Sequence, residues 1–205
     1  MESAIIVQGR VVYALVLRLI ASAHSKSQQG YFWTLFDSSW QICFFLIMRS
    51  FRGFAPPQGM PLLLFLLSGF IPFFIFKQTT KKCIAIFQKK SKLLNIPIIS
   101  NLDLCIAQMI FCWITEMTVA FMFLTIGLLC GIEFHIDNWG KFLFVFIVSP
   151  VLGLGTGTFC ASLVVLYPIM DKVFTIILRF SMFVSGVFYS VSKFSSVIMD
   201  YLWYN

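Results

Sequence analysis

The chain has 205 residues, 60% of them hydrophobic, 25 of them Phe and 11% charged, and its mean hydropathy is +0.92. Soluble domains run near ~45–50% apolar and ~25% charged, so this much apolar surface exceeds what one soluble core of the size can hide. A disordered tail, a disulfide-stapled secreted domain and a plain cytosolic enzyme are excluded, which leaves a polytopic membrane protein acting as an embedded enzyme, a transporter subunit or an assembly factor. The net charge of +7 does not point to nucleic acid, because most basic residues fall between apolar runs, where they orient helices.

The first apolar stretch, residues 4–23, is long enough to span, but Arg10 and Arg18 would sit in hydrocarbon at up to about 2.5–3.5 kcal/mol each at mid-helix. Eight residues apart, they lie about 80° from one another around a helix and leave a wide apolar face. The preferred reading is a helix lying in the cytoplasmic interface; the spanning alternative would renumber the topology. No cleavable signal peptide is evident, because no small-residue cleavage pattern closes the stretch.

Five spans are expected: Trp33–Met48, Pro61–Phe76, Leu104–Cys130, Phe142–Leu166 and Val173–Tyr189. The second is short for a span and carries Pro72, so a bend or partial insertion is expected. Lys77, Lys81, Lys82, Lys89, Lys90 and Lys92 follow it with no acid before Asp103, and a loop so basic belongs on the cytoplasmic side. Alternation then places the N-terminus inside and the 131–141 loop outside. Arg49 and Arg52 on the outer side weaken that assignment for the first span without outvoting the lysines. Beyond the fifth span, Val191, Phe194, Val197, Ile198, Tyr201 and Leu202 recur at helical spacing opposite Lys193, Ser195 and Asp200, an amphipathic helix at the outer surface.

Enzyme signatures are absent: no DxD pair, HEXXH, GxSxG or GxxxxGK[ST] loop is present. Glu133, His135 and Asp137 make either a metal half-site or, by the plainer reading, a solvated loop. Gly153, Gly155 and Gly157 lack the lysine and preceding strand of a phosphate loop and read as close helix packing or a helix distortion. The six cysteines, at 43, 83, 105, 112, 130 and 160, show no metal-ligand spacing and read as small hydrophobes among helices. Charges inside spans are costly and therefore functional candidates. These are Asp37, Glu116 and Arg179. The last would snorkel, pair with Glu116 or Asp37, or touch an anionic passenger.

In chain order, Gln8-Gly9-Arg10, Leu17-Arg18, Gly30-Tyr31-Phe32-Trp33, Leu93-Leu94-Asn95-Ile96-Pro97, Asp103, Asp171 and Ser185-Gly186-Val187-Phe188-Tyr189 resemble the permease subunit of capsular-polysaccharide ABC-2 exporters over nearly the whole chain. The resemblance implies an all-α integral membrane fold with an N-terminal cytoplasmic interfacial helix (1–32), five spans here (33–190) and a periplasmic amphipathic segment (191–205). It also implies a bacterial inner-membrane homodimer that exports lipid-linked polysaccharide with a separate ABC ATPase and with periplasmic and outer-membrane export proteins. No enzyme activity, cofactor or metal is implied for the subunit itself. Lys77, Lys81, Lys82, Lys89, Lys90 and Lys92 would couple to the ATPase, and Ser185, Gly186 and Tyr189 would mark the outer end of the fifth span.

The departures from the family are specific. Leu19, Ala21, Ala23 and Ser25 replace a charge-dense stretch, Ser38 stands where a proline is usual, and Gln108 and Cys112 occupy the places of an Arg and, one turn later, a Glu. The family continues past Trp203-Tyr204-Asn205 into a sixth span that this sequence lacks, so either a truncated product or a dimer that closes without that span is expected, and the isolated chain is expected to insert but transport poorly. The rival readings are a non-transporting remnant or assembly partner and, from another class, a membrane-embedded transferase of polysaccharide synthesis.

Overall fold

A computed structural model describes residues 4–25, 28–51, 60–88, 100–132, 134 and 138–184. They form six helices: α1 (Ala4–Ser25), α2 (Gln28–Phe51), α3 (Leu62–Gln88), α4 (Asn101–Leu129), α5 (Trp139–Leu166) and α6 (Met170–Val184). No strand occurs among the described residues. Three of the helices, α3, α4 and α5, are long and apolar enough to cross a membrane. Span assignments for α2 and α6 rest on the sequence reading. The segments 185–189 and 191–205, Lys89, Lys90 and Lys92, and the Glu133, His135 and Asp137 group lie outside the described residues.

Two of the helix starts, those of α4 and α5, follow capping chemistry. Ser100 accepts from the Asp103 backbone N–H at 3.2 Å while the Asp103 carboxylate accepts from the Ser100 N–H at 3.0 Å, a reciprocal capping box. Asn138 caps α5 by accepting from the Lys141 N–H at 3.1 Å.

The expected second span is corrected at both its length and its end. Helix α3 is 27 residues long and runs through Pro72, continuing twelve residues past Phe76. Residues 77–88 contain neither Gly nor Pro, and Thr79, Thr80, Cys83 and Ile84 are buried in line with the apolar part of the helix. The basic segment expected as a loop is therefore helical through Lys77, Lys81 and Lys82.

From Leu62 to Phe76 helix α3 is apolar nearly all round, the signature of a central helix. Leu66, Phe70, Ile71 and Ile75 are fully buried, and with Ile42 of α2, Val119 and Phe123 of α4, Phe146 of α5 and Met182 of α6 they make the main core. A second cluster docks α1, through Leu15 and Val16, on Leu104 and Ala107 of α4. Gln8 adds a 2.8 Å hydrogen bond to the Asp103 carboxylate, so two pieces of sequence 95 residues apart meet at the start of α4. Arg10 and Arg18 are exposed on α1, in keeping with a helix that presents one face to α4 and the other outward.

Helices α3 and α5 approach closely. A Cβ on Gly153 would stand 2.9 Å from the Phe76 carbonyl oxygen, and one on Gly157 would stand 3.0 Å from Thr80 Cα and 2.9 Å from Cys83 Cβ. Four residues apart, these glycines lie on one face and let two backbones approach. Gly155, on another face, meets nothing within 4 Å, so the packing reading holds for two of the three. Thr80 Oγ1 spans the contact, 2.9 Å from the Phe76 carbonyl of its own helix and 3.2 Å from the Gly153 carbonyl.

Pro150 lies inside α5, and the missing N–H leaves the Phe146 carbonyl without its helical donor. Trp113 of α4 donates its indole N–H to that carbonyl at 3.1 Å.

Gly157→Leu should force α5 off α3 and destabilise the bundle by about 1–3 kcal/mol, whereas Gly155→Leu should stay within about 0.5 kcal/mol. Denaturant unfolding of purified protein in micelles measures both; equal effects would refute the one-sided contact.

Candidate functional site

Two polar features converge where α2, α3 and α4 meet. The inner one is a junction around Glu116, which is 0% exposed on α4. Ser38 of α2 donates its hydroxyl to Glu116 Oε1 at 2.6 Å, and Gln78 of α3 donates its side-chain amide to the same oxygen at 2.5 Å. Gln78 also reaches Ser38 Oγ at 3.3 Å. The other carboxylate oxygen, Oε2, is buried with no hydrogen-bond partner. One acid thus ties three helices together.

The outer feature is a cavity of about 390 Å³ between α2 and α3. Trp33, Asp37 and Gln41 line it from α2 and Phe74, Lys77, Lys81 and Lys82 from α3, with Ser38 and Gln78 shared with the junction behind. At about 100° per residue, the cavity residues of α3 lie on the side opposite Phe76, Thr80 and Cys83, which face α5. The glycine contact therefore sets which side chains α3 turns toward α2. Lys77 is half-buried while Lys81, Lys82 and Asp37 are exposed, and the Lys77 ammonium sits 5.9 Å from the centre of the Phe74 ring, within cation–π range.

A second cavity, of about 190 Å³, lies between α3 and α6 and is lined by Lys81, Gln88, Asp171 and Thr175 among others. Lys81 borders both cavities.

The structure thus gathers Asp37, Lys77, Lys81 and Lys82 and places Glu116 just behind them. Arg179 is exposed on α6. The expected alternative of an Arg179–Glu116 pair is not formed: Glu116 spends one oxygen on Ser38 and Gln78 and leaves the other bare. Among the described residues no group of three His, Cys, Asp or Glu side chains is arranged to hold a metal ion.

Sequence reasoning missed Gln78 and Gln41 and noted Ser38 only as a departure. Ser38 makes a bond that proline lacks the atoms to make. At the other departure, Gln108 and Cys112 make a neutral i to i+4 contact of 3.8 Å. Cys83, Cys105 and Cys112 are buried free thiols, packed as small hydrophobes.

No protein-family model matches the chain. Two curated relatives do, each called polysialic acid transport protein KpsM and each from Escherichia coli. One is 27% identical over 202 residues, covering 97% of this chain and 77% of the relative. The other is 26% identical over the same shares. The resemblance to capsular-polysaccharide export permeases is borne out. With apolar helices long enough to span, the chain is a multi-pass membrane protein. The motif residues that carry the resemblance include Gln8 and Asp103, which bond to each other, and Asp171, which lines the smaller cavity together with Lys81.

Ser38→Ala should cost about 0.6–1.7 kcal/mol, the range of hydrogen bonds between membrane helices. Paired with Glu116→Leu, which removes the acceptor, in a double-mutant cycle followed by denaturant unfolding, it should show a coupling of about 0.5 kcal/mol or more; additive losses would mean that the two side chains do not interact.

Proposed function

We propose that this chain is the pore-forming permease subunit of an ATP-driven exporter of lipid-linked capsular polysaccharide in a bacterial inner membrane, with its N-terminus in the cytoplasm. The observation that carries this reading is the similarity to polysialic acid transport proteins along 97% of the chain. In this reading a separate ABC ATPase supplies the energy, two copies of the chain form the path, and periplasmic and outer-membrane export proteins take the polysaccharide onward. The subunit makes and breaks no covalent bonds. Its task is to bind the passenger differently in inward-facing and outward-facing states.

The geometry supports such a role. Asp37, Glu116 and Arg179 are the charges proposed to act on the path, and the first two belong to connected polar features on α2, α3 and α4. A junction of three helices that shares a single carboxylate oxygen gives those helices a discrete arrangement to leave and re-enter. The basic run, helical as far as Gln88, would carry motion from the ATPase into α3, the central helix. Lys89, Lys90 and Lys92 at its far end are the proposed contacts with the ATPase. Ser185, Gly186 and Tyr189 are the proposed outer end of the last span.

Co-expression of the chain with the ATPase subunit of a polysialic acid exporter tests this reading. The two should co-purify, and the combined Lys89→Gln, Lys90→Gln and Lys92→Gln variant should weaken association about tenfold, a loss of ~1.4 kcal/mol. Failure of the unaltered chain to bind the ATPase or to alter its hydrolysis would sink the proposal. Arg179→Leu should lower polysaccharide export in a permease-deleted host while leaving membrane insertion intact; full export would make Arg179 a residue that only reaches for the interface.

A further inference from the structure

We infer that the cavity between α2 and α3 is a binding site for the phosphate group of a membrane amphiphile, held by Lys77, Lys81 and Lys82. The first argument is depth. The apolar part of α3, Leu62 to Phe76, rises about 22 Å at ~1.5 Å per residue, most of a hydrocarbon core of ~30 Å. The three ammonium groups that follow therefore stand at the level of one leaflet's phosphates. Trp33 lies at the same mouth, the position that interfacial tryptophans favour.

The second argument is charge. Three lysines line the cavity against one carboxylate, Asp37. A concave wall of low dielectric focuses that excess and draws an anion. The third is donor chemistry. Ser38 and Gln78 are committed to Glu116, and the Gln41 side-chain amide rests 3.4 Å from the Asp37 carbonyl. The three ammonium groups that line the space offer protons and accept none. Three such groups in one wall favour an anionic oxygen as ligand, with the Asp37 carboxylate as the opposing acceptor. A space of about 390 Å³ takes a phosphate with its glycerol or first sugar. The acyl chains would stay outside along the exposed Phe36 and Trp40 of α2. The phosphate can come from an ordinary anionic phospholipid or from the lipid end of a glycan cargo.

The inference does not depend on the export reading, and its test uses the full chain without an ATPase. In neutral phosphatidylcholine nanodiscs, short-chain phosphatidylglycerol should bind saturably and about tenfold tighter than chain-matched phosphatidylcholine, read by native mass spectrometry. The combined Lys77→Gln, Lys81→Gln and Lys82→Gln variant should lose that preference, while Lys141→Gln and Lys172→Gln should keep it. Equal binding of the two lipids, or an undiminished preference in the triple variant, overturns the site. Displacement by equimolar inorganic phosphate overturns the amphiphile assignment. A phosphatidylglycerol carrying an oligosaccharide distinguishes the sources: tighter binding than the plain lipid assigns the site to cargo, and equal binding assigns it to bilayer lipid. Should the triple variant fail to fold, Asp37→Asn removes the opposing carboxylate and should tighten phosphatidylglycerol binding several-fold; unchanged or weaker binding there overturns the site.

Discussion

The approach of α5 to α3 across Gly153 and Gly157 is the constraint from which the polar architecture follows. Without side chains at those two positions, α5 lies against the backbone of Phe76 and Thr80, and one face of α3 is spoken for. The opposite face, which carries Lys77, Gln78, Lys81 and Lys82, has to look toward α2 and α4. Close backbone contact substitutes here for the hydrophobic effect, which gives little drive for association between helices already in lipid.

Given that orientation, Glu116 is the price of joining α2, α3 and α4 through polar atoms. A carboxyl group fully removed from water is expensive unless its oxygens find donors. Ser38 and Gln78 supply two donors to one oxygen and none to the other, so the junction is incompletely satisfied. Tightly packed apolar residues would hold three helices at lower cost. An arrangement retained in spite of that cost suits helices that have to part, because the bonds are short, directional and can be remade in one register.

Much of this was legible in the sequence and some was not, for reasons that can be named. Composition and basic clustering fix the membrane class, and the long uninterrupted apolar runs locate α4 and α5 to within a few residues. The end of α3 escaped detection because a run of lysines reads as loop on hydropathy alone, whereas helicity there is secured by Thr79, Thr80 and Cys83 packing on α5. Glu116 was visible as an intramembrane charge, but its partners were not: Ser38 and Gln78 lie 78 and 38 residues away, and no local pattern announces such a meeting. The glycine triplet showed its purpose in outline, and only three dimensions separate Gly155 from its neighbours.

The indole of Trp113 occupies the acceptor that Pro150 leaves vacant in α5. A proline in mid-helix is a natural point of flexure, since one rung of the backbone ladder is gone. In this fold that rung has been replaced by a strut from a neighbouring helix, so α5 cannot flex about Pro150 without either dragging α4 with it or giving up the strut. Because α4 also carries Glu116, a tilt of one helix becomes a pull on the acid that binds two others.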